Sequence, residues 1–172
     1  GIRANVMVSS AFGCPFEGEV PLRRVLDIVK RLMEHEPVEL GFADSIGVGV
    51  PAQVTEMAGA VKELFPHVPL RFHFHNTRNT GLANAYAAIE AGASVLDASV
   101  GGIGGCPFAP AATGNIPTED LVYLLHRSGI STGVDLDRLI DTGNWLQEAL
   151  GRPVPSMLLK AGTFPRPARQ AA

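Results

Sequence analysis

Two histidines one residue apart, His73 and His75, interrupt the apolar run "LRFHFHN" (Leu70–Asn76). Side chains of an extended strand alternate between faces, so the two imidazoles share a face, about 7 Å apart along the chain. A neutral imidazole offers a lone pair that suits a divalent metal. The plainer reading is one buried histidine and one at a loop; an inward-facing strand end favours the metal. Asp44 ends the preceding apolar run, "VELGFAD", and is followed by "SIGVG". A carboxylate there can cap a turn, or it can serve as a base or as a hydrogen-bond partner to substrate; position alone leaves both open. The third stretch is "SVGGIGGCPFAPAATGNIPTED", Ser99–Asp120. Its glycines let the backbone approach a ligand closely. Cys106, between Gly105 and Pro107, carries a thiol that titrates not far from neutrality, so it can act as acid or base, or be inert. Asn115 precedes a helix, where a turn residue is ordinary. The glycine spacing matches neither the phosphate-binding G-x-x-x-x-G-K-[ST] loop nor a dinucleotide fingerprint, which argues against a nucleotide site.

The elements that must position these residues alternate strand and helix. The pattern predicts strands over Ile2–Ser9, Val38–Ala43, Leu70–Phe74 and Ser94–Val100. It predicts helices over Pro21–Glu34, Pro51–Phe65, Leu82–Glu90 and Thr118–Arg127, with a further helix over Asp137–Leu150. Leu22, Val25, Leu26, Val29 and Leu32 form the apolar face of the first helix. Val54, Met57, Ala58, Val61 and Leu64 form that of the second. Thr118 with the acids after it is expected to form a capping box, and the proline-rich tail after Arg152 to be extended. Such alternation implies a parallel sheet covered by helices. The strands are apolar on one face only: Phe72 and Phe74 oppose Arg71, His73 and His75, while Leu40 and Phe42 oppose Glu39, Gly41 and Ala43. A sheet covered on both faces reads apolar throughout. One polar inner face suits a (β/α) barrel with its site at the C-terminal strand ends. Four βα units are half of the eight that such a barrel needs.

Composition sets the outer bounds. The chain has 172 residues, 46% of them hydrophobic, enough for a packed core. A net charge of −3 and the lack of a Lys/Arg cluster argue against a nucleic-acid partner. No apolar run is long enough to span a membrane. Two cysteines, Cys14 and Cys106, are too few for a disulfide framework, and they read as reduced thiols of an intracellular, cytoplasmic protein.

Taken together, "SSAFGCPFEGEV", "GFADSIGVGVP", "HFHNT", "GLANAYAAIEAGASVLDASVGGIGGCPFAPAATGN" and "TEDLVYLL" resemble, in order, segments of hydroxymethylglutaryl-CoA lyases. That family lies in a metal-dependent superfamily that also holds isopropylmalate and homocitrate synthases. The resemblance implies a TIM-barrel, (β/α)8 fold with a short helical C-terminal extension. Residues 1–134 would form half of the catalytic barrel, its strands 5–8 with their helices, and residues 135–172 the C-terminal helix and tail. His73, His75 and Asn115 would be ligands of a divalent metal, Mg²⁺ or Mn²⁺. Cys106 would be the loop cysteine that takes part in catalysis, and Asp44 the strand-end carboxylate near the reacting hydroxyl, with His73 assisting proton transfer. Ser45, Thr77 and Arg78 would bind or support substrate, and Glu119 and Asp120 would support the site from behind.

The implied reaction is retro-Claisen cleavage of 3-hydroxy-3-methylglutaryl-CoA to acetoacetate and acetyl-CoA. Two departures bear on it. After the H-x-H the family has Asp-Thr-Tyr-Gly, whereas this chain has Asn76, Thr77, Arg78 and Asn79, which bears on the acyl group accepted. Nothing matches the family's first-strand Arg-Asp pair, so the chain is expected to be the second half of a lyase and inactive alone. Its partners are then an acyl-CoA substrate and either the missing N-terminal half-barrel or a second copy in a homo-oligomer. An acyl-CoA-condensing synthase and a non-catalytic half-barrel module are the alternatives.

Overall fold

The computed structural model describes residues 3–105 and 114–165. Its contacts divide the chain into two compact units. The described residues of the first lie within Gly1–Ala98 and Gly104–Ile116, and those of the second within Ser99–Ile103 and Pro117–Ala172.

The first unit is built on four parallel strands, β1 (Asn5–Val8), β4 (Glu39–Asp44), β5 (Leu70–Phe74) and β6 (Val95–Asp97), side by side in chain order. Helices α1 (Leu22–Met33), α2 (Pro51–Leu64) and α3 (Gly81–Glu90) make the crossovers. Register pairs Phe42 with Phe72 and Ala43 with His73, so side chains of one parity line up across the sheet. Leu40, Phe42, Leu70, Phe72 and Phe74 are fully buried. Phe72 stacks on Phe74 at 5.7 Å, and Phe42 lies 5.5 Å from Phe72. The helices bring Val25 and Val29 of α1 and Val54, Met57, Ala58 and Val61 of α2 into the core. Each large side chain so buried contributes about 1.5–3 kcal/mol. The opposite parity holds Arg71 and His73, each partly exposed.

Several boundaries differ from the expected ones, each for a local reason. β1 begins at Asn5, and Leu64 closes α2 with its side chain exposed. β6 stops at Asp97, because Val100–Gly102 forms a 3₁₀ turn in which Gly101 takes φ +70°. A short antiparallel hairpin, β2 (Gly13–Cys14) with β3 (Gly18–Glu19), was not legible as strands two residues long.

The second unit contains α4 (Thr118–Arg127), α5 (Leu136–Leu150) and the one-turn α6 (Leu158–Ala161). Leu121, Val122 and Leu125 of α4, with Val154 and Leu158, are buried. The capping box expected at Thr118 is corrected: Pro117 is the N-cap and no side chain caps the helix. The Thr118 N–H instead donates to the Ser99 carbonyl at 2.9 Å. Glu119 is drawn away from any capping role by the Gly101 N–H, 2.9 Å from each of its carboxylate oxygens. α5 does carry a side-chain cap, at Asp135, which accepts from the Arg138 N–H at 3.1 Å. Among the described residues no helix is long and apolar enough to cross a membrane.

Candidate metal centre

The C-terminal end of β5 is extended by a backbone partner. Residues 114–116 return alongside it: the Asn76 N–H donates to the Gly114 carbonyl at 3.0 Å, and the Ile116 N–H to the Phe74 carbonyl at 3.2 Å. His75 and Asn115 form the antiparallel bridge between them. Gly81 lets this return pack closely, since a Cβ there would lie 2.4 Å from Ile116 Cγ2. The imidazoles of His73 and His75 lie 5.3 Å apart, centroid to centroid, tilted by 59°. Backbone pairing thus brings His73, His75 and Asn115 to one strand end.

The two histidines are not equivalent. His73 is partly exposed, whereas His75 is 5% exposed, and its Nδ1 has no hydrogen-bond partner among the described residues. Burial, and secondarily the neighbouring His73, push the His75 pKa below its ordinary value; nearby Asp44 opposes this. A buried, neutral imidazole with an uncommitted ring nitrogen is costly unless something meets it. A divalent cation is such a partner, and the donors on hand, two imidazoles and an amide oxygen, fit one. Among the described residues no three His, Cys, Asp or Glu side chains are grouped to hold an ion.

Asp44, at the end of β4, is fully buried. Its Oδ1 accepts the Val48 N–H at 2.9 Å and its Oδ2 the Gly49 N–H at 2.8 Å. Register pairs it with Phe74, on the parity opposite His73. The geometry accounts for the turn-capping side of its two readings. The loop it caps is held from elsewhere too. Ser45 Oγ accepts the Ser10 N–H at 3.0 Å, Arg78 donates to the Ile46 and Gly47 carbonyls, and Asn84 donates to the Gly49 carbonyl at 2.8 Å. Gly47 has φ +63°, and a Cβ there would lie 2.9 Å from Thr77. Ser45, Thr77 and Arg78 therefore all stand at this loop.

Sequence reasoning missed Asp97, the last residue of β6. Its Oδ2 lies 3.9 Å from His73 Nδ1, and its Oδ1 accepts from Arg71. The signal was available: "SVLDAS" places a carboxylate at a strand end as "GFADS" does. Asn84, buried on α3, was hidden by its helical setting. Glu119 and Asp120 belong to the second unit. Glu119 is fully buried, and burial raises its pKa against the pull of backbone hydrogen bonds. Asp120 accepts from Ser156 Oγ and the Leu158 N–H, each at 2.8 Å, and from the Met157 N–H at 3.0 Å. Cys106 lies outside the described residues.

Residues 2–146 match the model of the HMGL-like family. The chain belongs to the HMGL-like family. This HMGL-like chain is 46% identical over 162 residues to the (R)-citramalyl-CoA lyase of Chloroflexus aurantiacus, covering 94% of itself and 51% of that protein. It is 42% identical to the hydroxymethylglutaryl-CoA lyase of Bacillus subtilis, covering 92% of itself and 53% of the relative. Among solved structures, an HMG-CoA lyase from Acinetobacter baumannii in complex with coenzyme A and 3-methylmalate superposes with a TM-score of 0.90 at 43% identity, over 95% of this chain and 54% of that one. The chain spans about half the length of the relatives it matches.

Proposed function

We propose that this chain carries the strand 5–8 half of a (β/α)8 lyase that cleaves a carbon–carbon bond in a 3-hydroxyacyl-CoA thioester, with 3-hydroxy-3-methylglutaryl-CoA the first substrate to assay. The observation that carries the reading is the juxtaposition of His73, His75 and Asn115 at the C-terminal end of β5, where parallel α/β folds build their sites. The relatives that share this chain's segments are lyases of CoA esters by name. In this reading residues 1–134 are barrel and residues 135–172 follow it. Four further βα units complete the barrel, from a longer polypeptide or from a partner chain.

His73, His75 and Asn115 would hold a divalent cation, Mg²⁺ or Mn²⁺. When bound, it polarises the substrate's 3-hydroxyl and lowers the cost of its ionisation. The hydroxyl proton then passes to a group at this end of the sheet. Asp44 is the candidate base, with His73 close by. As that proton leaves, the bond between the hydroxyl-bearing carbon and the thioester α-carbon breaks. The oxygen becomes the carbonyl of the keto product, and the electron pair moves onto the thioester as an enolate. Stabilising that charge is worth several kcal/mol in typical sites; here it falls to a cation from the complementary half. Cys106 returns a proton to the α-carbon, giving acetyl-CoA. Asp44, Arg78 and Asn84 hold the loop of residues 45–49 that borders the histidines.

The test is release of acetoacetate and acetyl-CoA from 3-hydroxy-3-methylglutaryl-CoA with Mg²⁺, using the chain alone and the chain within its complete barrel. The complete barrel is expected to turn over, and the chain alone is not. Citramalyl-CoA in parallel assigns the acyl group. Condensation of acetyl-CoA with a 2-oxo acid, without cleavage of either thioester, would replace the lyase by a synthase. In the complete barrel, Asp44→Asn tests the base: it should lower turnover sharply while keeping its metal. Cys106→Ser should lower turnover sharply with metal content unchanged.

A further inference from the structure

The half-exposed face of the sheet carries three charges, Glu39, Arg71 and Asp97, that the reaction above leaves unused. Arg71 sits in register with Gly41 on one side and Val95 on the other, and His73 faces Asp97. Its guanidinium reaches across both neighbouring strands. Nε donates to Glu39 Oε1 at 2.6 Å, and the other end donates to Asp97 Oδ1. A planar guanidinium held between two carboxylates fixes their orientation as well as its own. The second oxygen of Asp97 is thereby left against His73 Nδ1, at 3.9 Å. Glu39, Arg71, Asp97 and His73 form one line across three strands, and all four are partly or largely screened from water.

A carboxylate fixed beside one imidazole nitrogen favours the tautomer that carries its proton there. The other nitrogen then keeps its lone pair, and the ring is held from behind. We propose that Asp97, held in place by Arg71 and Glu39, is a positioning residue for His73, keeping the proton on Nδ1 and turning Nε2 toward the cation. The part of this that concerns the cation rests on the metal reading given above; the part that concerns the tautomer does not. The row also explains why Arg71 stands on an inner face at all: it neutralises two acids there, and one of them has a further task.

The experiment uses the full 172-residue chain and Asp97→Asn, Asp97→Glu and Arg71→Lys. Long-range ¹H–¹⁵N correlation of the histidine rings reads the tautomer without metal. The Nδ1–H form is expected to dominate for His73 in the parent, and mixed tautomers in Asp97→Asn. Titration with Co²⁺, followed by its visible absorption, reads affinity, which should fall about 10- to 100-fold in Asp97→Asn. Asp97→Glu should recover part of the loss, and Arg71→Lys should show a smaller one. Should Asp97→Asn fail to fold, the Arg71→Lys arm carries the same test. An Nε2–H parent, or a tautomer and Co²⁺ affinity unchanged in Asp97→Asn and Arg71→Lys, overturns the proposal. A parent that shows the expected tautomer but binds no Co²⁺ overturns the metal reading and leaves the positioning of His73 standing.

Discussion

His75 and Glu119 are both polar side chains buried in their own units, and they differ in what meets their polar atoms. Around Glu119 both oxygens face the Gly101 N–H, and neighbouring Asp120 accepts three hydrogen bonds from residues 156–158. Gly143 packs so closely that a Cβ there would lie 2.5 Å from Glu119 Oε1. Around His75 burial holds the ring's pKa below its ordinary value, and Nδ1 has no partner among the described residues. Buried polar atoms are nearly always paired, so a paired one is ordinary scaffold and an unpaired one at a strand end asks for a ligand. Similar burial therefore goes with different surroundings: the acids tie loop 99–103 and the start of α6 to α4, whereas the histidine is a residue that the proposed function gives to an ion.

The comparison breaks most visibly if the acids prove dispensable. Glu119→Ala should cost about 2–4 kcal/mol, from a cavity and an orphaned Gly101 N–H, read by chemical denaturation. The raised pKa of Glu119 also has a sign. Its contribution is fully present below the ordinary carboxylate value and is lost as pH rises through the folded value. Glu119→Gln should therefore flatten stability against pH in that window. Asp44→Ala should come next, at about 1–3 kcal/mol, because it orphans the Val48 and Gly49 N–H groups. Gly47→Ala should cost about 1 kcal/mol or more, since φ +63° strains an L-residue and Thr77 occupies the space of its Cβ. The smallest effect is the titration of His75. Its folded pKa is depressed, so stability should fall as pH drops from the ordinary histidine value toward the folded one. His75→Leu should remove that fall. A variant as pH-sensitive as the parent would mean that the ring is not buried in neutral form.

What was legible in the chain followed from periodicity. Alternation in "LRFHFHN" separates Phe72 and Phe74 from Arg71 and His73, and the structure keeps that separation. The first two crossover helices were legible from 3.6-residue spacing and from proline at their starts. What escaped depended on pairing across distance. Nothing local says that Glu119 answers Gly101, eighteen residues away, in preference to capping its own helix. Asp97 looks like any strand-end acid until β6 is laid beside β5 and its oxygen meets His73. The two-residue strands of the β2–β3 hairpin are too short to show a period. Asp44 was legible as a strand-end carboxylate able to cap a turn, but not the number of backbone groups it serves, which only the folded loop displays.

Calorimetric titration of the purified chain with Mn²⁺ tests the central claim most directly. The account predicts saturable binding at one site per chain, lost at least 100-fold in His75→Ala and in Asn115→Ala, while Glu119→Gln binds as the parent does. A parent that shows no saturable Mn²⁺ binding, or a His75→Ala variant that binds it equally well, would contradict the account.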